Sequence, residues 1–276
     1  MATGLSLMVC RPGGRLASYV RAFQVLSTDA SARVSVLDFA GADVSVPLRF
    51  GDPVVIDDSR LTPVASAAVV GPRTKAVLLR FDGKIDQVNV SFHPGVAGAF
   101  VDVSMAELVG RVAAPDDLWP SDFRDAVAEL EPLPVQQRVA RLERLLLAHL
   151  QPRLAPSPQV REAVRLIQAE RGRVRVRWLA DQVNLSVSQL ERGFTRHVGV
   201  GPKLLARQTR ASALAAHAME AGNPDWAVLA HRYGYSDQPH LVREFRELVG
   251  FTPSAFAAMG IDADYLQDAL ACPSLA

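Results

Sequence analysis

The feature that most constrains this chain is a repeat within its last hundred residues. One copy starts at Leu179 and reads LADQVNLSVSQLERGFTRHVGVGP, and the other starts at Leu229 and reads LAHRYGYSDQPHLVREFRELVGFTP. The offset between the copies is 50 at their start and 51 after one extra residue in the second turn. In the second register, Leu190, Arg192, Phe194, Gly199 and Pro202 pair with Leu241, Arg243, Phe245, Gly250 and Pro253. The repeat predicts two copies of one supersecondary unit.

The first copy has the pattern of a helix, a tight turn and a second helix. Ser186 and Gln189 are spaced as a capping box, so the second helix is expected to begin near Val187. Gly199 can end that helix in a left-handed conformation, and Pro202 can open the next one. The stripe expected to face inward is Val187, Leu190, Phe194 and Val198.

The second copy has the same organisation. A turn is expected at residues 233–236, with Asp237 as the helix cap and Pro239 in the first turn, where no backbone donor is needed. Three-and-four spacing predicts that Leu241, Phe245 and Val249 face inward. The side left open carries Gln238, Pro239, Val242, Arg243 and Arg246.

Each second helix thus has a polar outer face after a tight turn, as in helix-turn-helix proteins that read the DNA major groove. In the first copy, that face consists of Ser188, Glu191, Arg192 and Thr195. The segment between the copies has strong helix formers and no interior break, so it is expected to be a helix of roughly 20 residues and about 30 Å. Successive major grooves lie about 34 to 36 Å apart. Two helices reading adjacent grooves are therefore expected.

The charge is distributed unevenly along the chain. Residues 157–258 contain 14 Lys and Arg against 9 Asp and Glu, a net charge of +5. The whole chain has 30 Lys and Arg and 29 Asp and Glu. The remaining residues therefore contain 16 Lys and Arg against 20 Asp and Glu, a net charge of −4. A nucleic-acid-binding module attached to a non-binding domain would show this difference in charge. Chance combined with a solvated surface would also explain it.

Four regions are predicted along the chain. β-branched runs between about residues 31 and 92 indicate antiparallel strands in a β-rich, α+β and barrel-like domain over 1–115. Region 116–156 is expected to be a helical hairpin broken near 132–134, followed by the proline-rich linker QPRLAPSPQ. An all-α domain with two helix-turn-helix units over 157–258 and a tail over 259–276 complete the multidomain fold.

Several classes of site and location are not supported by the sequence. The two cysteines, Cys10 and Cys272, give neither a disulfide framework nor a zinc pattern. Only His93 and His149 precede residue 157, so a histidine-rich metal site is not expected there, and RPGGR opens no phosphate loop. We expect no cofactor and no catalytic residue. Without a leader or an apolar run of membrane length, a cytoplasmic protein is expected.

Residues 157–258 resemble the DNA-binding domain of the AraC/XylS family of bacterial transcription regulators, chiefly through LAHRYGYSDQPHLVREFRELVGFTPSAF. The resemblance implies seven helices, two helix-turn-helix units and no enzymatic activity. Base-edge positions then map to Ser188, Glu191, Arg192, Gln238, Pro239 and Arg243. Two of these depart from the usual polar residues, because Pro239 has no donor and Ser188 is short. Contacts to the DNA backbone are assigned to Thr195, Arg196, Arg207, Arg210, Val242 and Arg246.

Residues 5–150 resemble, more loosely, the sensory or dimerisation region in one branch of that family. The partners implied are double-stranded promoter DNA and RNA polymerase, with a small-molecule effector and a homodimer as further possibilities. Activation and repression are both open. A second hypothesis is a small-molecule-binding protein or enzyme with a regulator-like tail, but an enzyme has no use for two arginine-bearing helices one DNA turn apart.

Other roles are left open by the residues. The aromatic side chains Phe50, Phe81, Phe92 and Phe100 can line an effector pocket or fill the core, and the second role is the commoner one. The hairpin over 121–152 can form a dimer interface or pack on its own barrel. The arginines of RGRVRVRW can contact the DNA backbone or form a solvated edge, and Arg243 can read a base or pair with Glu244 and Glu247. His231 and His240 are expected to pack or to form hydrogen bonds.

Overall fold

The computed structural model of the chain describes residues 5–28, 31–56, 62–119, 121–221 and 224–258. Its first half is rich in strands, as the β-branched runs predict. The strands are β1 Leu5–Cys10, β2 Val20–Thr28, β3 Ala32–Asp38, β4 Ser45–Arg49, β5 Val54–Ile56, β6 Thr62–Val64, β7 Val69–Val70, β8 Val77–Gly83, β9 Asp86–Phe92 and β10 Val112–Ala113.

The strands form two antiparallel sheets. One has the order β1-β2-β9-β4-β7-β10 and the other the order β3-β8-β5-β6. Strands β3, β4, β8 and β9 lie within the predicted range of 31–92, but β1, β2 and the short β10 lie outside it. Strand β2 lies inside its sheet, between β1 and β9, and is mostly buried on both faces, so it lacks the alternation of polar and apolar residues that marks a half-exposed strand.

The helical hairpin packs on the β-rich domain of its own chain. After the short helix α1 (Met105–Leu108), it consists of α2 (Ser121–Ala128) and α3 (Val135–His149), which confirms the predicted break. The apolar stripe of α3 belongs to the same core as the six-stranded sheet, and its members Val139, Leu142 and Leu146 are buried. This packing uses the stripe that the sequence offered as an alternative dimer interface.

The aromatic residues considered for an effector pocket are mostly core residues. Phe81, Phe92 and Phe100 are at most 4% exposed. Phe50 packs at the edge of the core, where the guanidinium group of Arg138 lies 4.3 Å from its ring centroid. The core-filling role is therefore the one that the structure gives.

The second half of the described chain is entirely helical, as predicted. Its seven helices are α4 Pro158–Ala169, α5 Val176–Gln182, α6 Val187–His197, α7 Pro202–Ala221, α8 Trp226–Arg232, α9 Gln238–Val249 and α10 Pro253–Ala258. The proline-rich linker is tied to the β-rich domain by a 2.7 Å hydrogen bond from the Gln151 amide to the Ala99 carbonyl. None of the helices in the described ranges combines the length and apolarity needed to cross a membrane.

The β-rich domain contacts both helical units. Near the first unit, α1 packs against α6. Near the second, the Ala76 amide donates a 2.8 Å hydrogen bond to the Leu248 carbonyl on α9. Phe39 of the β-rich domain also makes an edge-to-face contact with Phe256 of α10, with ring centroids 5.6 Å apart. Both units are thus held against one domain.

Candidate nucleic-acid interface

The first helix-turn-helix unit consists of α5, a tight turn and α6. The capping box is complete, because the Gln189 amide donates to Ser186 Oγ at 3.2 Å and the Ser186 amide donates to Gln189 Oε1 at 2.8 Å. Asn184 in the turn has a φ of 53°, a left-handed conformation that asparagine tolerates better than most residues. The predicted start of α6 at Val187 is confirmed.

The inward stripe of α6 begins one turn later than predicted. Leu190, Phe194 and Val198 are fully buried in one apolar cluster with α4 and α5. Val187, which was expected to belong to this stripe, is 38% exposed, so that prediction is wrong. As the first helical residue, Val187 precedes the point at which α6 meets α5 and α4.

The second unit, α8, a turn and α9, repeats this construction with a different cap. Asp237 Oδ1 accepts a 2.7 Å hydrogen bond from the His240 amide, which confirms the predicted cap. Pro239 lies in the first turn of α9, and Gly250 ends the helix with a φ of 88°. Leu241, Phe245 and Val249 are buried, as expected.

The two open faces carry the residues expected to contact bases. On α6, Ser188, Glu191 and Arg192 are exposed. On α9, Gln238, Pro239 and Arg243 are exposed. Arg243 forms no ion pair with another residue in the ranges that the structure describes. Each recognition helix therefore presents its predicted face to solvent.

The residues expected to contact the DNA backbone are divided between two environments. Thr195 and Arg196 on α6 and Arg246 on α9 are exposed. The Thr195 hydroxyl donates to the Glu191 carbonyl at 2.9 Å. Val242 is half-buried and packs against the apolar cluster of the second unit.

Arg207 and Arg210 lie in an ion cluster between α7 and α9, which also contains Glu244 and Glu247. Arg207 Nε donates to Glu244 Oε2 at 2.8 Å, and Arg207 Nη2 donates to Glu247 Oε2 at 2.6 Å. Arg210 Nη2 lies 2.5 Å from Glu244 Oε1. Their side chains are only 24% and 15% exposed. Two N–H groups of each guanidinium are thus bound within the protein, which favours a role in holding α9 over the predicted contact with DNA phosphates, and that contact stays a prediction.

The ion cluster also fixes the protonation of Glu244. Burial raises the pKa of this carboxyl, but hydrogen bonds and charges from Arg210 and Arg207 outweigh burial and leave the pKa below its usual value. The Arg210 guanidinium also lies 4.4 Å from the centroid of the Tyr235 ring. Burial, followed by the charge of Glu244, raises the pKa of Tyr235 well above its usual range. The cluster thus joins α7, the second turn and α9.

The ion cluster decides whether Arg243 pairs with the two glutamates that follow it on α9. Glu244 and Glu247 are its neighbours in sequence and were the acidic partners considered for it. Both carboxylates turn toward α7 and bind Arg207 and Arg210 instead. Arg243 is left on the open face of α9.

The arginine run and the two histidines have local roles. Arg171, Arg173, Arg175 and Arg177 are exposed, and the valines between them pack against the cluster of the first unit. This alternation is typical of a solvated edge. His240 Nδ1 lies 3.1 Å from the Ser236 hydroxyl, and its ring makes an edge-to-face contact with Tyr235. No group of three or more potential metal ligands is found among the described residues.

Two family models match the chain. Residues 179–259 match a family described as a helix-turn-helix domain, which begins where the first copy of the repeat begins. Residues 8–114 match a family described as a domain of unknown function, DUF6597. No curated protein matches the sequence.

Two proteins of known structure have a backbone path similar to that of this chain. The C-terminal domain of AraT, a response regulator from Geobacillus stearothermophilus, is 23% identical and matches over 40% of this chain and 91% of its own, with a TM-score of 0.35. Apo ToxT from Vibrio cholerae is 12% identical over 88% of this chain and 97% of its own, with a TM-score of 0.45. ToxT bound to an unsaturated fatty acid is 10% identical over 84% and 96%, with a TM-score of 0.40.

The family match covers both copies of the repeat, and the structure gives each copy a capped recognition helix with an exposed polar face. The C-terminal region is therefore a helix-turn-helix domain of the AraC type, in which each copy of the repeat forms one unit.

Proposed function

We propose that the chain is a sequence-specific transcription regulator that inserts α6 and α9 into successive major grooves of promoter DNA. The observation that carries this proposal is the separation of charges on α9. Glu244 and Glu247 are bound to arginines of α7, whereas Arg243 is exposed and forms no ion pair with another described residue. An unpaired guanidinium on an open helix face is suited to bidentate contact with guanine.

The base-edge roles follow from the donors and acceptors of each side chain. Arg192 and Arg243 pair with guanine O6 and N7, Gln238 pairs with adenine, and Glu191 accepts from cytosine N4. Ser188 can donate or accept over a short reach. Pro239 can make only an apolar contact, for example with a thymine methyl group.

A smaller set of residues than the sequence indicated is assigned to the DNA backbone. Arg196 and Arg246 are exposed cations on the two recognition helices, and Thr195 lies beside Arg196. These side chains position the protein on phosphates without reading sequence. Val242 can make an apolar contact at the edge of the groove. Arg207 and Arg210 are assigned to positioning α9 through the ion cluster.

We assign the β-rich domain a regulatory role, with no catalytic residue. Support comes from its contacts with both units, through α1 on α6 and through Ala76 on α9. A molecule that changes these contacts would change how the recognition helices are held. An effector, a second copy of the chain and RNA polymerase are the partners proposed for this control.

Selection of bound duplexes from a random-sequence library by the full chain tests the DNA-binding role. We expect an enriched, asymmetric sequence with two half-sites about one helical turn apart. Affinity for that duplex should fall steeply between about 50 and 200 mM salt, because phosphate contacts release counterions. Failure to enrich any sequence, together with binding that salt does not alter, would contradict the proposal.

A further inference from the structure

A cavity lies between the β-rich domain and α7, the helix that joins the two recognition units. Its volume is about 370 Å³, within the range of about 300 to 1,000 Å³ found for small-molecule sites. The wall formed by α7 includes Gln208, Thr209 and Ser212, and strands β2, β4 and β9 contribute to the opposite wall. An occupant would touch both domains.

Two ion pairs line this interdomain cavity. Arg21 Nη1 lies 2.8 Å from Asp43 Oδ2, and Arg73 Nη1 lies 3.1 Å from Asp38 Oδ2. Burial raises the pKa of Asp38, although 40% of its side-chain surface is accessible. The raised pKa and the accessible surface of Asp38 are compatible if that surface faces the cavity and not bulk water. The cavity therefore offers charge of both signs, and the exposed Arg171 in the same lining adds a further cation.

The same walls contain hydrogen-bonding groups that are not all satisfied. Gln24 Oε1 accepts from Asn89 Nδ2 at 2.9 Å and from the Ser91 hydroxyl at 3.0 Å. Asn89 Oδ1, Gln208 Oε1 and the Tyr233 hydroxyl are buried and have no hydrogen-bond partner. All three residues line the cavity. Each of these three atoms has less than 1 Å² of accessible surface, so they make the wall polar but are not themselves open to an occupant.

The charges narrow the chemical class of that occupant. The carboxylates of the two pairs are 31% and 40% exposed, so each pair adds little to the stability of the fold and is accessible to a ligand. A ligand with a single charge is attracted by one member of each pair and repelled by the other. A ligand that carries both signs can bind guanidinium groups at one end and carboxylates at the other.

We propose that the interdomain cavity binds a free L-amino acid and that this occupancy regulates the DNA binding assigned above, on which the regulatory part rests. The carboxylate of the amino acid lies against Arg73 and Arg21, and its ammonium group lies against Asp38 and Asp43. The side chain of the amino acid extends along α7 toward Thr209 and Ser212.

The link to DNA binding runs through α7. Gln208 Nε2 donates a 2.7 Å hydrogen bond to the Arg73 carbonyl, so a cavity residue of α7 is joined to a cavity residue of the β-rich domain. A ligand that contacts both walls stabilises this docked arrangement. The change that the ligand causes in DNA affinity cannot exceed its own preference for this arrangement over one in which the domains are apart.

Thermal unfolding of the full chain with each of the twenty standard L-amino acids tests the proposal, with glucose and oleate as comparison ligands. We expect at least one amino acid, and neither comparison ligand, to raise the melting temperature. Titration calorimetry then gives its affinity. Asp38→Asn should weaken that affinity by about tenfold, as expected for the loss of one charged hydrogen bond.

Two further variants make the test specific. Asp82→Asn removes a carboxylate that is 60% exposed on β8 and should leave amino-acid affinity unchanged. Ser212→Leu fills the cavity from α7 without altering its charges and should abolish binding, which keeps the proposal testable if Asp38→Asn does not fold. The proposal is overturned if no amino acid stabilises the chain, if only glucose or oleate does so, or if binding survives both cavity variants.

DNA binding of the same preparation separates the two proposals. If the ligand-free chain binds its selected duplex and no amino acid binds, the cavity proposal fails alone. If an amino acid binds through Asp38 but no duplex is selected, the regulator role fails and the cavity site stands. If both bind and the amino acid leaves the affinity for DNA unchanged, the regulatory link is wrong.

Discussion

Glu244 of α9 lies 2.5 Å from Arg210 of α7, measured from Oε1 to Nη2, and its side chain is only 7% exposed. The helix that connects the two units is thus joined by a buried ion pair to the helix proposed to read DNA. Removing one member of such a pair leaves the other charge buried without a partner. The position of α9 therefore depends on residues that do not touch DNA in our proposal.

The first prediction compares the two glutamates of the ion cluster. Glu244→Ala should lower the free energy of unfolding by about 3 to 5 kcal/mol, because it leaves Arg210 partly buried and unpaired and leaves Arg207 with Glu247 alone. Glu247 is 58% exposed, so Glu247→Ala should cost no more than about 1 kcal/mol. Urea unfolding of both variants measures the difference. Equal losses would mean that burial of Glu244 does not decide the strength of the cluster.

The second prediction concerns the loss of stability at low pH that is due to Glu244. Because the pKa of Glu244 is lower in the folded chain than in the unfolded one, its contribution to stability is present above the unfolded value of about 4.3. That contribution is lost as the pH falls through the lower, folded value. Glu244→Gln should therefore destabilise the chain at pH 7 and flatten the fall in melting temperature between about pH 5 and pH 3. A curve parallel to that of the unaltered chain would contradict this.

The third prediction separates base reading from phosphate contact on α9. Arg243→Ala should reduce discrimination against a wrong base at one operator position by about 1 to 3 kcal/mol. Arg246→Ala should weaken binding to all sequences alike and lower the slope of affinity against salt by about one. Anisotropy titrations with the selected duplex and its single-base variants measure both effects. If Arg243→Ala also acts uniformly, Arg243 is a phosphate contact.

The fourth prediction uses two equivalent glycines of the repeat. Gly199 and Gly250 both have a left-handed φ, near 83° and 88°, which costs an alanine about 1 to 2 kcal/mol. A Cβ on Gly250 would meet nothing within 4 Å, whereas on Gly199 it would lie 2.8 Å from the Met105 carbonyl oxygen. Gly199→Ala should therefore cost more stability than Gly250→Ala.

Hydrogen exchange distinguishes the cause of this difference. Gly199→Ala should increase exchange in both α1 and α6, because the clash pushes the β-rich domain away from the first unit. Gly250→Ala should increase exchange only around the end of α9. Similar exchange in the two variants would show that left-handed strain, and not the contact with Met105, determines their stability.

The helical half could be predicted from sequence because its signals are local. A capping box at Ser186, an Asx cap at Asp237 and a glycine after each recognition helix act within a few residues, and all are present in the structure. Val187 was assigned wrongly because helical periodicity does not show where a helix begins to touch its neighbours. In the β-rich half, β2 was missed because a strand buried on both faces has no alternation.

In the candidate site, too, the features set by local spacing could be predicted and those set by tertiary packing could not. Which side chains are exposed on each recognition helix followed from three-and-four spacing. The ion cluster did not, because Arg207 and Glu244 are 37 residues apart and meet only through the packing of α7 on α9. The interdomain cavity likewise joins residues of β-strands to residues of α7, and no spacing in the sequence brings them together.

The unbroken course of α7 has a consequence for any operator this protein binds. Twenty residues of helix span about 30 Å and cannot shorten or turn like a flexible linker. One base pair inserted between the two half-sites would rotate the second by roughly 35° about the DNA axis. All operators of this protein should therefore have the same number of base pairs between their two half-sites. Base substitutions in that gap should be tolerated, whereas insertions and deletions should not.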